Sequence, residues 1–160
     1  MKQFWFMSIG AVAVLLVCVP FGVNAEQSDL SAEAVLAEFL GALSGCDYEL
    51  AAEFYGGSYG VLRNWNPDLD PKAVARLWER GCTRNGLQCL KLRRVVATSV
   101  EADGIYQFEV ELSTAGGELF VRGPCCGDDP ATSPPDSVFT FTVEDVGGKF
   151  MVTRMPPYVP

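Results

Sequence analysis

Hydrophobic positions change their spacing part-way along the chain. In the first half, Val35, Leu36, Phe39, Leu40 and Leu43 recur every three or four residues, the mark of a helix with one buried face. Ser31 is placed to cap its first turn, Glu33 suits the positive end of the helix dipole, and Gly45 is placed to end it. Asp47 can cap a short second helix over Tyr48 to Tyr55, closed by Gly56-Gly57. Ser58 to Leu69 has no clean period and carries Tyr59, Trp65 and Pro67, which predicts an ordered loop over the core. Asp70-Pro71 predicts the start of a third helix, with Val74, Leu77 and Trp78 as its apolar stripe and Gly81 as its stop.

From Cys89 onward the period falls to two, which signals sheet. Tyr106, Phe108, Val110 and Leu112 alternate with polar residues, followed by Leu119 and Val121, then Phe139, Phe141 and Val143, then Phe150 and Val152. With a first strand over Cys89 to Val100, the pattern predicts an antiparallel meander of about five strands. Its apolar positions share one face, so an α+β fold is expected in which three N-terminal helices pack on one face of a curved sheet. A three-residue turn at Glu101-Ala102-Asp103 pairs Val96 with Phe108 and Leu92 with Leu112, and sets Arg93 opposite Glu111 on the outer face. In that register Arg94 points into the concave side with Leu92 and Val96. A buried guanidinium is costly, so it needs a carboxylate partner, a ligand anion or a bulge that turns it outward.

The N-terminus changes what composition means. Lys2, the apolar run Trp5 to Val19, the break at Pro20 and Gly22, and Val23-Asn24-Ala25 read as a secretory signal peptide over residues 1–25, cleaved after Ala25. Residues 26–160 are then expected to form a single domain. The alternative is a lipidated signal at Cys18, behind Leu15-Leu16-Val17. Membrane attachment is expected only there or with an uncleaved signal, because the apolar run is shorter than the roughly 20 residues that span a bilayer. The chain carries 12 basic and 20 acidic residues, a net charge of −8, which repels phosphate backbones and argues against a nucleic-acid partner. No Asn-x-Ser/Thr sequon occurs in the part after the signal. Export to a bacterial periplasm or cell surface is expected.

Cys46, Cys82, Cys89, Cys125 and Cys126 follow the signal, an odd set in a compartment where thiols pair. The adjacent Cys125 and Cys126 are poor partners for each other, because neighbouring Cα atoms lie about 3.8 Å apart and a disulfide wants roughly 4.4 to 6.8 Å. Structural disulfides are the first reading. Four sulfurs from Cys82, Cys89, Cys125 and Cys126 around a metal, or a reactive thiol, are the alternatives, and the Cys-x6-Cys spacing is long for zinc. In the meander Cys89 opens the first strand and Cys125 closes the third, at opposite ends of the sheet. Cys82 is therefore expected to meet Cys89 across "CTRNGLQC", and Cys46 to meet Cys125 or Cys126. No metal or cofactor is expected.

The stretches "FYGGSYGVLRNW", "GCTRNGLQCLKL", "FVRGPCCG" and "MPPYVP" look like parts of bacterial exported proteins to which no activity attaches. The order of elements resembles the nuclear transport factor 2-like superfamily, a cystatin-like cone in which helices close over a concave sheet. That resemblance implies a ligand-accepting cone, but its members include ketosteroid-isomerase-like enzymes, dehydratases and many non-catalytic domains, so it does not specify a function.

Histidine is absent from the whole chain, which removes Ser-His-Asp catalysis and most zinc chemistry. An enzyme would need a carboxylate, such as Asp47 or Glu53, working with a tyrosine in the cone, as in an isomerase or dehydratase. No catalytic residue is assigned. The leading expectation is a non-catalytic small-molecule-binding or accessory domain, with Tyr55, Tyr59, Trp65, Trp78, Arg94 and Tyr106 as pocket candidates for a small apolar or anionic ligand. A second alternative is an interaction module docking to an envelope protein through its outer face or "GDDPATSPPD". The closing prolines are expected to leave the tail extended beyond the last strand.

Overall fold

A computed structural model describes residues 30–102, 104–124, 129, 131 and 134–160. The signal segment with Cys18, and the pair Cys125-Cys126, lie outside the described residues. Four helices precede four strands: α1 (Ala32–Ser44), α2 (Tyr48–Phe54), α3 (Gly60–Trp65), α4 (Val74–Thr83), β1 (Lys91–Ala102), β2 (Ile105–Ser113), β3 (Phe139–Asp145) and β4 (Phe150–Val152). The sheet is antiparallel, in the order β1-β2-β3-β4.

Helix α1 forms as its sequence demands. The Ser31 hydroxyl accepts the Ala34 N–H at 3.2 Å, and Gly45 closes the helix with its N–H donating to the Gly41 carbonyl at 2.9 Å. Its face of Val35, Leu36, Phe39, Leu40 and Leu43 is buried against β1, β3 and β4. Asp47 caps α2, its carboxylate accepting the Leu50 N–H at 3.1 Å. Beyond α2 the chain runs beside β4, where Gly56 N–H donates to the Val152 carbonyl at 2.9 Å. From the sheet, Phe108, Val110, Leu112, Phe139, Phe141 and Val143 all turn inward, so one face is buried and the other stays polar.

Several expectations are corrected. The stretch expected as a loop holds α3, a six-residue helix whose Leu62 is fully buried; a single anchor is too short to show a period. The last helix begins at Val74, not at Pro71. Asp70 is spent on a turn, its carboxylate accepting the Lys72 N–H at 2.9 Å. Gly81 does not stop α4 but sits inside it, buried, because a Cβ there would lie 2.9 Å from Leu62 and 3.0 Å from Leu87.

The expected third strand at Leu119 and Val121 forms isolated bridges only, Ser113 with Leu119 and Arg122 with Asp136. Phe139, Phe141 and Val143 bury themselves against β2, whereas Leu119 and Val121 stay exposed, so β3 takes the flank of β2. Arg122 therefore stays near the Ser113 end of β2, and Cys125 itself lies outside the described residues.

The β1–β2 register also shifts. Leu92 does face Leu112, but Ala102 pairs with Ile105 at the hairpin end of the ladder, and Gly104 before it has φ +77°. Phe108 faces Thr98 and not Val96. The ladder slips between Leu92 and Arg94, between Val95 and Ala97, and between Val100 and Ala102. The first slip resolves the awkward arginine by turning Arg94 outward onto Glu111.

Candidate functional site

Of three pocket candidates, Tyr55 and Trp78 are core and Tyr59 packs half-buried against them. Tyr55, Tyr59 and Trp78 pack with Phe39 in one aromatic cluster, with ring centroids 4.9 to 5.9 Å apart and mostly edge to face. Trp78 is wholly buried, and its indole N–H donates to the Tyr59 hydroxyl at 3.2 Å. The Tyr55 hydroxyl donates to the Ser58 carbonyl at 3.3 Å. Burial raises the pKa of both tyrosines; for Tyr55 the Tyr59 hydroxyl adds to it, and for Tyr59 burial outweighs the opposing pull of the Trp78 N–H and the Arg63 guanidinium.

Arg94 and Tyr106 are not part of an interior pocket either. Arg94 is exposed on the outer face and grips Glu111 with two bonds of 2.8 and 2.7 Å. That bond holds the Glu111 carboxyl below its ordinary range and raises the guanidinium. Tyr106 is half-buried, packed edge to face on Phe150 and stacked along Phe108. Of the two carboxylates weighed for catalysis, Asp47 is occupied as a cap and Glu53 is exposed on α2.

Trp65 is the candidate that lines a cleft. This open groove, about 740 Å³ in volume, lies at the corner where the end of α1, the start of α2, the end of α4 and the C-terminal tail meet. Its floor is the loop between Cys82 and Cys89, which are joined by a disulfide with Cα atoms 5.5 Å apart, as the sequence led us to expect. A bonded pair has no thiolates to offer, so the four-sulfur metal site does not form around this bond. Among the described residues no group of three or more His, Cys, Asp or Glu is arranged to hold a metal.

The tail docks on that loop as a two-bond antiparallel ribbon. Gln88 N–H donates to the Pro157 carbonyl at 2.8 Å and Val159 N–H donates to the Gly86 carbonyl at 2.9 Å. Pro157 offers only its carbonyl, so its missing N–H costs nothing, and the tail folds back where an extended departure was expected. Gly86 is required here: its φ is +83°, and an added Cβ would run into the Val159 carbonyl. Tyr158 is thereby laid on Trp65, with ring centroids 5.2 Å apart. The loop is tied to α3 by Asn66, buried, whose side-chain amide donates to the Leu62 backbone carbonyl at 2.8 Å and to the side-chain Oδ1 of Asn85 at 3.0 Å.

Across the groove sits Cys46, exposed and a free thiol; the partners expected for it, Cys125 and Cys126, lie outside the described residues. Its φ of +62° lies in the left-handed region, which costs a residue with a Cβ about 1–2 kcal/mol. The Tyr48 hydroxyl stands beside this thiol. Its pKa is pushed up to about 12, by burial first, then by Cys46 and by the Glu79 carboxylate on α4.

No family model matches the chain, and no curated protein or solved structure gives a match. Among the described residues no helix is long and apolar enough to cross a membrane.

The cleft residues that sequence reasoning missed are Tyr158, Gly86 and Gln88. Their signals were in plain view, an Asn-Gly turn inside a short cysteine loop and an apolar tail with one aromatic. Nothing in either stretch says that the two meet.

Proposed function

We propose that the protein is an exported, disulfide-stabilised domain that binds a small molecule without catalysis, and that binding takes place in the corner cleft and not under the sheet. One observation carries this reading: the space below the sheet is filled by Phe39, Leu36, Trp78 and Phe141, each with no exposed surface, while Trp65 and Tyr158 line an open groove. Two aromatic rings in tilted contact offer an apolar platform, and Arg84 and Gln88 at the lining offer polar anchors. A small ligand with a flat apolar body and an anionic group fits that chemistry. The disulfide and the N-terminal apolar run support export. The order of helices before sheet is what the resemblance to the cone superfamily rests on.

The enzyme reading has weaker support, because the groups acting on Tyr59 are an indole N–H and a guanidinium, and the one acting on Tyr55 is the Tyr59 hydroxyl. The test is a backbone and indole NMR titration of the mature chain with a panel of aromatic carboxylates. Shifts are expected at Trp65, Gly86 and Gln88 and should vanish in Trp65→Ala. Shifts confined to Tyr106 and Phe150, or none anywhere, would overturn the reading.

A further inference from the structure

Three sulfurs line one cleft, and they are not equivalent. Cys82 and Cys89 are bonded and half-buried, whereas Cys46 is a free, exposed thiol. Two observations bring the thiol to the bond. Cys46 and both bonded cysteines are lining residues of the same groove. Tyr48, whose hydroxyl lies beside the Cys46 thiol, also feels the charge of Glu79, one turn before Cys82 on α4. The backbone at Cys46 adds a third. It holds a left-handed conformation that glycine would adopt freely, so the chain keeps a strained Cβ and its sulfur at the rim of the groove.

We propose that this corner is a thiol–disulfide exchange site, in which Cys46 is the internal nucleophile toward the Cys82–Cys89 bond. The Cys46 thiol gives its proton to solvent, and its sulfur attacks one sulfur of the bond. The S–S electron pair leaves on the other sulfur, which takes up a proton. One S–S bond breaks and one forms, so no oxidant or reductant is required. The product has Cys46 bonded to Cys82 or Cys89 and a free thiol on the remaining cysteine.

The exchange has a structural consequence. The Cys82–Cys89 loop presents the Gly86 carbonyl and the Gln88 N–H that hold the tail. Opening that loop loosens the ribbon and uncovers Trp65, so the sulfur arrangement sets the shape of the groove. This inference needs no ligand, and it stands or falls separately from the binding reading.

The test is disulfide mapping of the mature chain. Protein purified without reductant is held at mildly alkaline pH, quenched with acid, alkylated and digested without reduction. Wild type should yield peptides joining Cys46 to Cys82 or Cys89, with the displaced cysteine alkylated. Cys46→Ser and Cys46→Gly should yield only the Cys82–Cys89 link, and the glycine variant, relieved of its strained Cβ, should fold at least as well. Reach is tested apart from equilibrium. Cys82→Ser and Cys89→Ser, each oxidised with glutathione disulfide, should join Cys46 to the remaining loop cysteine.

Amide hydrogen exchange at Gln88 and Val159 should quicken in the rearranged wild type and stay slow in Cys46→Ser. Only mixed disulfides with glutathione in both single variants would overturn the proposal. So would a bond from Cys46 to Cys125 or Cys126.

Discussion

Two aromatic groups in this molecule answer the same problem in opposite ways. Phe39, Tyr55, Tyr59 and Trp78 meet inside the helical layer, where three rings are buried, Tyr59 is half-buried against them, and the polar atoms of Tyr55, Tyr59 and Trp78 are bonded within the cluster or to the chain beside it. Trp65 and Tyr158 meet at the surface, held together by a disulfide loop and two backbone bonds from the tail. The first group is fixed by burial, and the second by covalent and backbone constraint. Aromatic content alone therefore does not mark a binding site. What separates the two is whether the surrounding chain closes over the rings.

The largest effect should come from the closed cluster. Trp78→Ala removes a wholly buried ring and is expected to cost about 3–5 kcal/mol, with Tyr59 losing its donor as well. Urea unfolding measures it. A loss below about 1 kcal/mol, the scale of a surface change, would mean that this cluster is not a closed core.

Next comes the covalent constraint. Replacing Cys82 and Cys89 together by serine opens a short loop and is expected to cost about 2–3 kcal/mol. The comparison is sharpened by where the change is felt: Val159 and Gln88 amides should exchange faster while amides in β2 and β3 keep their protection relative to global stability. Equal loosening everywhere would show that the disulfide staples the core and not the corner.

The legibility of the sequence follows the same division. Helix α1, its Ser31 cap and the inward faces of β2 and β3 were readable, because burial on one side imposes a strict period on many residues at once. The Cys82–Cys89 bond was readable because short spacing leaves little choice of geometry. Helix α3 was not, since Leu62 alone anchors it. Nor were the slips in β1, an edge strand with mostly exposed residues whose register no buried pattern enforces. The slips between Leu92 and Arg94 and between Val95 and Ala97 are what displaced Arg94 and Val96. The corner cleft was the least legible part. It is assembled from contacts between residues 46, 65, 86 and 158, and such long-range meetings leave no trace in local periodicity.

A smaller effect is expected from Gly86→Ala, which forces a Cβ into a left-handed conformation and against the Val159 carbonyl. The strain alone is worth about 1–2 kcal/mol. Because the tail can move aside, part of the cost should appear as release of the tail and not as lost stability. Trp65 fluorescence should shift as Tyr158 leaves it, with little change in the unfolding midpoint. An undisturbed Trp65 would show that the two rings are held by their own stacking, and the contrast between buried and tethered aromatics would lose its basis.

The smallest effect should come from Arg94→Gln, remote from both aromatic groups. Its ion pair with Glu111 sits on the open face of the sheet, where solvent screens charge, so stability at neutral pH should barely change. The sign with pH still follows from the bond. Arg94 lowers the pKa of Glu111 in the folded chain, so the pair stabilises the fold above the ordinary carboxylate value of 4.5 and that contribution is lost as pH falls through the lowered folded value. In Arg94→Gln this acid-side dependence should flatten, and added salt should have the same effect on wild type. A large loss at neutral pH would mean that Arg94 anchors the β1 slip against Glu111 and that the outer face is a third structural centre.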